Sequence, residues 1–247
     1  MQTAIEHYLR IFNAAFSRLR IVGVFAFLLA SSLSFAQLNR PTLGAIVSTN
    51  GLGICASAEL SEESLWVKGL YANLQTLKHN EEAKVQNILF TNPKPYVYGK
   101  LNSAAALRLG YAMSRPLSSR ANGKPQLFLE IQTGASLAFT KPYMVRYQNP
   151  VDDNKNAIIV QQSEEVMQNQ EHIYGPAGWA RGFSEIKNTP GFHMAIDLSI
   201  NWNESFHYKK WDVGVQADFY PSSINVLYQA DNQIFAGIYS RYSWGIN

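Results

Sequence analysis

The stretch that decides the fold is Phe192–Trp202, FHMAIDLSINW. Phe192, Met194, Ile196, Leu198, Ile200 and Trp202 fall on one parity, and His193, Ala195, Asp197, Ser199 and Asn201 on the other. Successive side chains of a strand point to opposite faces, so this alternation predicts a β-strand with one greasy and one polar face. A soluble sandwich strand alternates too, but its apolar row seldom ends on a tryptophan at the rim. The pattern therefore predicts a strand of a small membrane barrel, with its apolar row outward and its polar row inward.

The same pattern recurs on both sides of this stretch. In Gln126–Phe139, Leu127, Leu129, Ile131, Ala135, Leu137 and Phe139 oppose Glu130, Gln132, Gly134 and Ser136. In Trp211–Tyr220 the odd positions are apolar and Asp212, Gly214, Gln216 and Asp218 oppose them. Gln233–Ile246 sets Ile234, Ala236, Ile238, Tyr242, Trp244 and Ile246 against Gly237, Tyr239, Arg241, Ser243 and Gly245. Tyr96–Met113 places Lys100, Asn102, Ala104, Ala106, Arg108 and Gly110 on one face. Thr42–Ala56 reads as one long strand bent at Gly51 and Gly53. Leu65–Leu77 follows as a second strand, and Thr140–Gln148 as a weaker fifth.

Two connections stand out. Lys78–Pro95 is polar, with room for one helical turn at Glu81–Gln86; Asn149–Pro190 is a long loop, of a length that is usually functional or disordered. The expected fold is all-β: an antiparallel transmembrane β-barrel of about eight strands with one long extracellular loop. Single-chain bacterial barrels have even strand numbers and periplasmic termini. Alternating the turns then makes Asn149–Pro190 extracellular and Lys78–Pro95 periplasmic. The count rests on the fifth strand. Strands of ten or more residues can span a bilayer when tilted, and closure leaves no unpaired edge in lipid. Trp202, Trp211 and Trp244 fall at strand ends, where an aromatic girdle would lie.

Composition agrees. Charged residues are 16% of the 247, below the roughly 25% of soluble domains, and aromatics reach 13%. A mean hydropathy of −0.15 excludes a helical membrane bundle but suits alternating strands. The formal charge of +3 gives no nucleic-acid footprint. The lone Cys55 excludes an internal disulfide framework and any multi-thiolate metal site. At the N-terminus, Arg18 and Arg20 precede the apolar run Ile21–Ala30, with Ser34 and Ala36 at the small-residue positions of a cleavage site. Residues 1–36 are expected to be a signal peptide and 37–247 the barrel, because the apolar run is too short to span a bilayer as a helix. Residues 1–17 form a long lead-in, consistent with translation from a later start.

From Asn92 onward the chain resembles small, largely uncharacterised outer-membrane β-barrel proteins of Bacteroidota. The resemblance lies in Asn92-Pro93, in Tyr96 to Asn102 (YVYGKLN) and in Leu107 to Tyr111 (LRLGY). It continues in Gly134 to Leu137 (GASL), Thr140 to Tyr143 (TKPY), Ala180 to Lys187 (ARGFSEIK) and Pro190-Gly191, with Thr49-Asn50-Gly51 extending it towards the N-terminus. The chain departs from the family where Trp179-Ala180 precedes Arg181 instead of a glycine, and in its C-terminal Trp244-Gly245-Ile246-Asn247. The resemblance implies an outer-membrane location and a barrel, and brings no catalytic residues.

Candidate chemistry is concentrated on the inward parity. Lys100, Arg108, Glu130, His193, Asp197, Asp212, Asp218 and Arg241 form an expected lumen charge network. An eight-stranded barrel is just wide enough for side chains to fill it, so charges of both signs predict paired, salt-bridged packing. A proton or ion path is the functional alternative. His193, Asp197 and Ser199 share a face, but residues four apart on a strand lie about 13 Å from each other. They cannot form one triad; a cross-strand pair of His193 with Glu130 or Asp218 stays open. No Gly-x-Ser-x-Gly, His-Glu-x-x-His or Gly-rich phosphate loop occurs. His79, His172, His193 and His207 are scattered, so neither a metal nor another cofactor is expected.

The loop segment Tyr174–Gly191 holds the candidate partner-binding residues Arg181, Phe183, Glu185, Lys187 and Pro190; the alternative is a lid over the barrel mouth. The expected function is that of a non-enzymatic outer-membrane protein, an accessory or interaction subunit of an assembly or secretion machine. A lipid-modifying barrel enzyme and a stand-alone structural or adhesive barrel are the alternatives. Expected partners are outer-membrane lipid, lipopolysaccharide and other envelope proteins, and no nucleic acid. The accessory role is reached by elimination, since a fold alone does not dictate function.

Overall fold

The computed structural model describes residues 39–61, 66–90, 92–118, 125–148, 157–204 and 207–245. In chain order the strands are β1 (Asn39–Ser48), β2 (Gly51–Ser61), β3 (Val67–Leu77), β4 (Lys84–Val85), β5 (Tyr96–Val97), β6 (Asn102–Pro116), β7 (Gln126–Pro142) and β8 (Met144–Tyr147). Then come β9 (Ile158–Gln161), β10 (Ile173–Pro176), β11 (Lys187–Glu204), β12 (His207–Asn225) and β13 (Asp231–Gly245). One short helix, α1 (Glu164–Gln168), lies between β9 and β10. From Arg40 on, the described residues belong to a compact unit, Arg40–Asn247; the segment where the signal peptide is expected lies outside the described residues.

Eight of these strands form an antiparallel sheet closed into a ring, in the order β1-β13-β12-β11-β7-β6-β3-β2. The Phe192–Trp202 stretch is the middle of β11, paired with β7 on one side and β12 on the other. The register places Ile196 beside Ile131 and Val215, and Asp197 beside Glu130 and Gly214. Parity then propagates around the ring. Phe192, Met194, Ile196 and Leu198 are 46 to 52% exposed, whereas His193, Ala195, Asp197 and Ser199 are at most 3% exposed. Burial here is inverted relative to a water-soluble domain. Large apolar side chains line the outside, and charged side chains fill the interior.

The eight-strand count is met through two compensating differences from the sequence reading. Thr42–Ala56 is not one strand but parts of two, β1 and β2, joined by a tight turn at Thr49-Asn50. Gly51 adopts a φ of 145°, and a Cβ there would sit 2.3 Å from the Thr76 carbonyl oxygen. Only glycine fits, so the chain reverses at this point instead of bending. In exchange, the expected fifth strand is absent from the ring. β7 runs on to Pro142 and pairs with β11, while β8 leaves to form a separate three-stranded sheet in the order β10-β8-β9. The expected helical turn at Glu81–Gln86 is instead a turn followed by β4, which pairs with β5.

These changes alter the two ends of the ring. β1 starts and β13 finishes at one end, here the terminus end, which also carries the connections after β2, β6 and β11. Both long connections, 78–101 and 143–186, leave from the opposite, loop end. The expectation that Lys78–Pro95 and Asn149–Pro190 face opposite sides is therefore overturned. The long loop also ends earlier than expected, because Lys187–Pro190 already belongs to β11.

The loop end is covered by an ordered cap. Tyr96, Val145 and Ile173 form its apolar core, with Val85, Tyr143, Tyr147, Val160 and Val166 packed against them. The buried Gln162 carboxamide accepts from Gly99 N and donates to the Val97 carbonyl, both at 2.8 Å, which ties the two long connections together. The Asn87 side chain donates to the carbonyls of Gln170, Glu171 and Ile173. The helix α1 is N-capped by Ser163, whose side chain accepts from Val166 N, and Glu164 and Glu165 sit in its positive first turn. Burial raises the Tyr96 and Tyr143 phenols above the usual range. Beneath the cap, Leu77, Ala104, Ala106, Ala138, Tyr220, Ile224, Val226 and Phe235 form an apolar layer across the loop end of the lumen.

Candidate lumen site

Below the apolar layer the lumen holds two charged groups. The middle group is centred on Arg108, which is fully buried on β6. Its Nε donates to both carboxylate oxygens of Asp218 at 3.0 and 3.1 Å, and Nη2 donates to Oδ2 at 2.6 Å. Nη1 donates to Gln75 Oε1, an oxygen that also accepts from Gln216 at 3.2 Å. His193 completes the group with its Nδ1–H donated to Asp218 Oδ1 at 2.9 Å. Charge-assisted bonds on both sides of Asp218 are the geometry in which a desolvated carboxylate is tolerated. Room for the group comes from Gly110 and Gly134, which pair across β6 and β7. A Cβ on either would lie 2.2 Å from a backbone carbonyl oxygen of the other strand. On β3 and β11, either side of this bare patch, Tyr71 and His193 meet edge to face at 6.0 Å.

The second group lies nearer the terminus end. Arg241 donates from Nε to Asp212 at 2.5 Å and from Nη2 to Glu130 at 2.9 Å. Lys210 binds Glu130 Oε2 and stands 3.5 Å from Asp212. Glu130 also accepts from Gln132 at 2.7 Å and from Ser114 at 2.9 Å. Asp197 is held differently. Its nearest cation is Arg241 at 3.9 Å, and its hydrogen bonds come from the neutral Tyr239 hydroxyl and, at 3.5 Å, from Gln132. Asp197 is also directly cross-strand from Glu130, a pairing of like groups that is unfavourable when both are charged. Three carboxylates thus share two cations.

Glu130, Asp197 and Asp212 offer oxygens within 4.8 Å of one another. Arg241 and Lys210 already ligate this cluster, so its chemistry is that of a salt-bridge network. A cavity of about 30 Å³, lined by Glu130, Lys210, Thr42, Ser57 and Tyr208 among others, opens beside it at the terminus end. That is space for one water molecule.

Seven of the eight expected network residues meet in these two groups; Lys100 does not. It precedes β6 in the cap, paired with Glu82 at 2.7 Å and lying over the Tyr143 ring. The parity that put it inward lapses where β6 begins, at Asn102. Lys210 was missed because His-Tyr-Lys-Lys reads as a turn, although β12 starts at His207 and gives Lys210 the inward parity of Asp212. Tyr239, Gln75, Gln132 and Gln216 carry the same parity and complete the polar filling. His193, Asp197 and Ser199 lie in three separate hydrogen-bonding sets, Ser199 donating to Asn201 at 3.0 Å; of the two cross-strand partners left open for His193, the structure selects Asp218.

The expected partner-binding set is divided. Lys187 and Pro190 are strand residues, in register with Thr140 and Leu137 of β7, so they do not belong to the loop. Arg181, Phe183 and Glu185 remain in the loop, where Gly182 takes the left-handed conformation and opens a 3₁₀ turn at Phe183–Glu185. Phe183 packs edge to face on Trp179 at 4.7 Å, and Lys141 lies over both rings. Compared with known proteins, the chain matches no family model and no curated protein sequence.

Proposed function

We propose that the chain is an outer-membrane protein whose eight strands span the bilayer, and that it acts by protein contact through its loop end, without catalysis. The inverted burial of the ring carries this reading: Phe192, Met194, Ile196 and Leu198 are half exposed, while Arg108, Asp218, Asp212 and His193 are sealed inside. In water such a surface would aggregate; against lipid tails it is the stable arrangement. From Phe192 to Trp202 the strand rises about 33 Å, roughly 25 Å along the axis at a 35–45° tilt, the height of an outer-membrane apolar band. The terminus end would then face the periplasm and the cap the exterior.

A filled lumen supports a role other than diffusion. The apolar layer and Arg108 occupy the cross-section, as expected for a barrel of this strand number. What the fold offers to partners is the cap, an ordered surface on which Ile88 and Leu89 stand 90% and 61% exposed. The resemblance to Bacteroidota outer-membrane barrels supports the same location, and service as an accessory subunit of an assembly or secretion machine accords with it. The test is outer-membrane fractionation combined with a gel shift between heated and unheated samples. A heat-modifiable band in outer-membrane fractions is expected; a soluble periplasmic product would overturn the membrane reading. Crosslinking in mild detergent is expected to capture envelope proteins, and recovery of monomer alone would remove the accessory role.

A further inference from the structure

Four of the five tryptophans gather at the terminus end. Trp66 stands just before β3, and Trp202, Trp211 and Trp244 lie near the terminus-end limits of β11, β12 and β13. Trp211 and Trp244 point outward, 42% and 49% exposed, and Tyr242 beside them is 45% exposed. Barrels in membranes carry aromatic girdles at both interfaces. At the loop end no strand supplies a tryptophan. The fifth, Trp179, comes from the 143–186 connection instead and is 79% exposed.

Its position is fixed by the barrel wall. On β7 the even residues Glu130, Gln132, Ser136, Ala138 and Thr140 are buried, so Lys141 takes the outward parity of Phe139. Lys141 Nζ lies 5.3 Å from the centre of the Trp179 ring and 4.6 Å from that of Phe183, and it donates to the Trp179 carbonyl. Gly182, at φ 83°, turns the loop back against Pro142; a Cβ there would lie 3.0 Å from the Pro142 carbonyl oxygen. The two rings are therefore clamped against the outer face of the ring at the loop-end rim, continuous with the apolar band below. Lysine with an amphipathic aromatic ring is the pairing favoured where lipid tails give way to head groups.

Resting on the membrane reading above, we propose that the Lys141–Trp179–Phe183 clamp is a membrane-interface anchor: a loop-borne half-girdle seated in the head-group layer of the outer leaflet. Its occupant is the bilayer, not a protein partner. Arg181, exposed in the same loop, places further positive charge where lipid phosphates lie. The loop is thereby tied to the membrane on the side where β7 and β11 meet.

The test uses the full chain reconstituted in phosphatidylcholine vesicles carrying bromine either shallow or deep in the acyl chain. The Trp179 signal is the difference in emission between wild type and Trp179→Phe. It is expected to lose most of its intensity to shallow bromines, less to deep ones, and little to aqueous iodide. Quenching by iodide with none by bromine would overturn the anchor and leave the clamp facing water, free for a protein. If all five tryptophans escape brominated lipid, the membrane reading itself has failed, which separates the two claims. Lys141→Gln removes the clamp's charge and is expected to red-shift the Trp179 component and admit iodide. An unchanged component in that variant would overturn the clamping role of Lys141.

Discussion

At the residue scale, the buried carboxylates are not equivalent. Glu130 and Asp212 each hold Arg241 within 2.9 Å, and Glu130 binds Lys210 as well, so neutralising either one breaks a close buried ion pair. Breaking a buried pair from one side costs about 3–5 kcal/mol, and Glu130→Gln or Asp212→Asn should lose about that much. Asp197 is the surplus member, 3.9 Å from its nearest cation and directly opposite Glu130. Asp197→Asn keeps an oxygen for the Tyr239 hydroxyl and removes one of three acids sharing two bases. It is expected to change stability by no more than about 1 kcal/mol, in either direction. Urea midpoints of the three variants in one vesicle system check the ranking. If Asp197→Asn falls as far as Glu130→Gln, then Asp197 is a full ionic partner and the charge accounting is wrong.

At the element scale, β11 is the most demanding case for the outward face. Ile196 lies midway along its apolar row, flanked in register by Ile131 and Val215. A lysine there is expected to weaken folding into vesicles by about 2–4 kcal/mol, as at a bilayer midplane. The same change on a water-facing strand would fall within about 0.5 kcal/mol, so the equilibrium folding titration decides which medium the strand meets. β11, β7, β12 and β13 were legible in the sequence because their parity is unbroken, and the lumen residues on them followed from it. The weak points were local. Asn50-Gly51 is a strong hairpin dipeptide, yet strand-like residues on both sides make it equally readable as a bend within one strand. Met144–Tyr147 is strand-like too, and nothing in its own sequence says that Pro142 ends the wall strand and that β8 pairs with β9 and β10 instead. Pairing partners far apart in sequence leave no mark on parity. The clamp was invisible for that reason: Lys141 and Trp179 are joined only by the fold.

At the scale of the whole molecule, the side on which each connection emerges follows from counting crossings. β1 starts at the terminus end and β2 returns to it, so β3 runs outward again and finishes at Leu77 on the loop end. β6 re-enters at Asn102, β7 emerges at Pro142, and β11 re-enters at Lys187. Both long connections therefore share one side whatever the surrounding medium, and they are packed into one cap through Gln162 and Asn87. Splitting Thr42–Ala56 into two strands and removing the fifth leaves the total unchanged but moves 78–101 from one side to the other. Single cysteines on a Cys55→Ser background test this directly. Ile88→Cys and Ser184→Cys report on the two connections, and Leu117→Cys, 52% exposed after β6, reports on the terminus end. A membrane-impermeant maleimide on intact cells is expected to label positions 88 and 184 alike, and position 117 only after the outer membrane is opened. Labelling of 117 together with 184, with 88 protected until the membrane is opened, would mean that the chain crosses the membrane in the order that an unbroken Thr42–Ala56 strand and a fifth strand at Thr140–Gln148 imply.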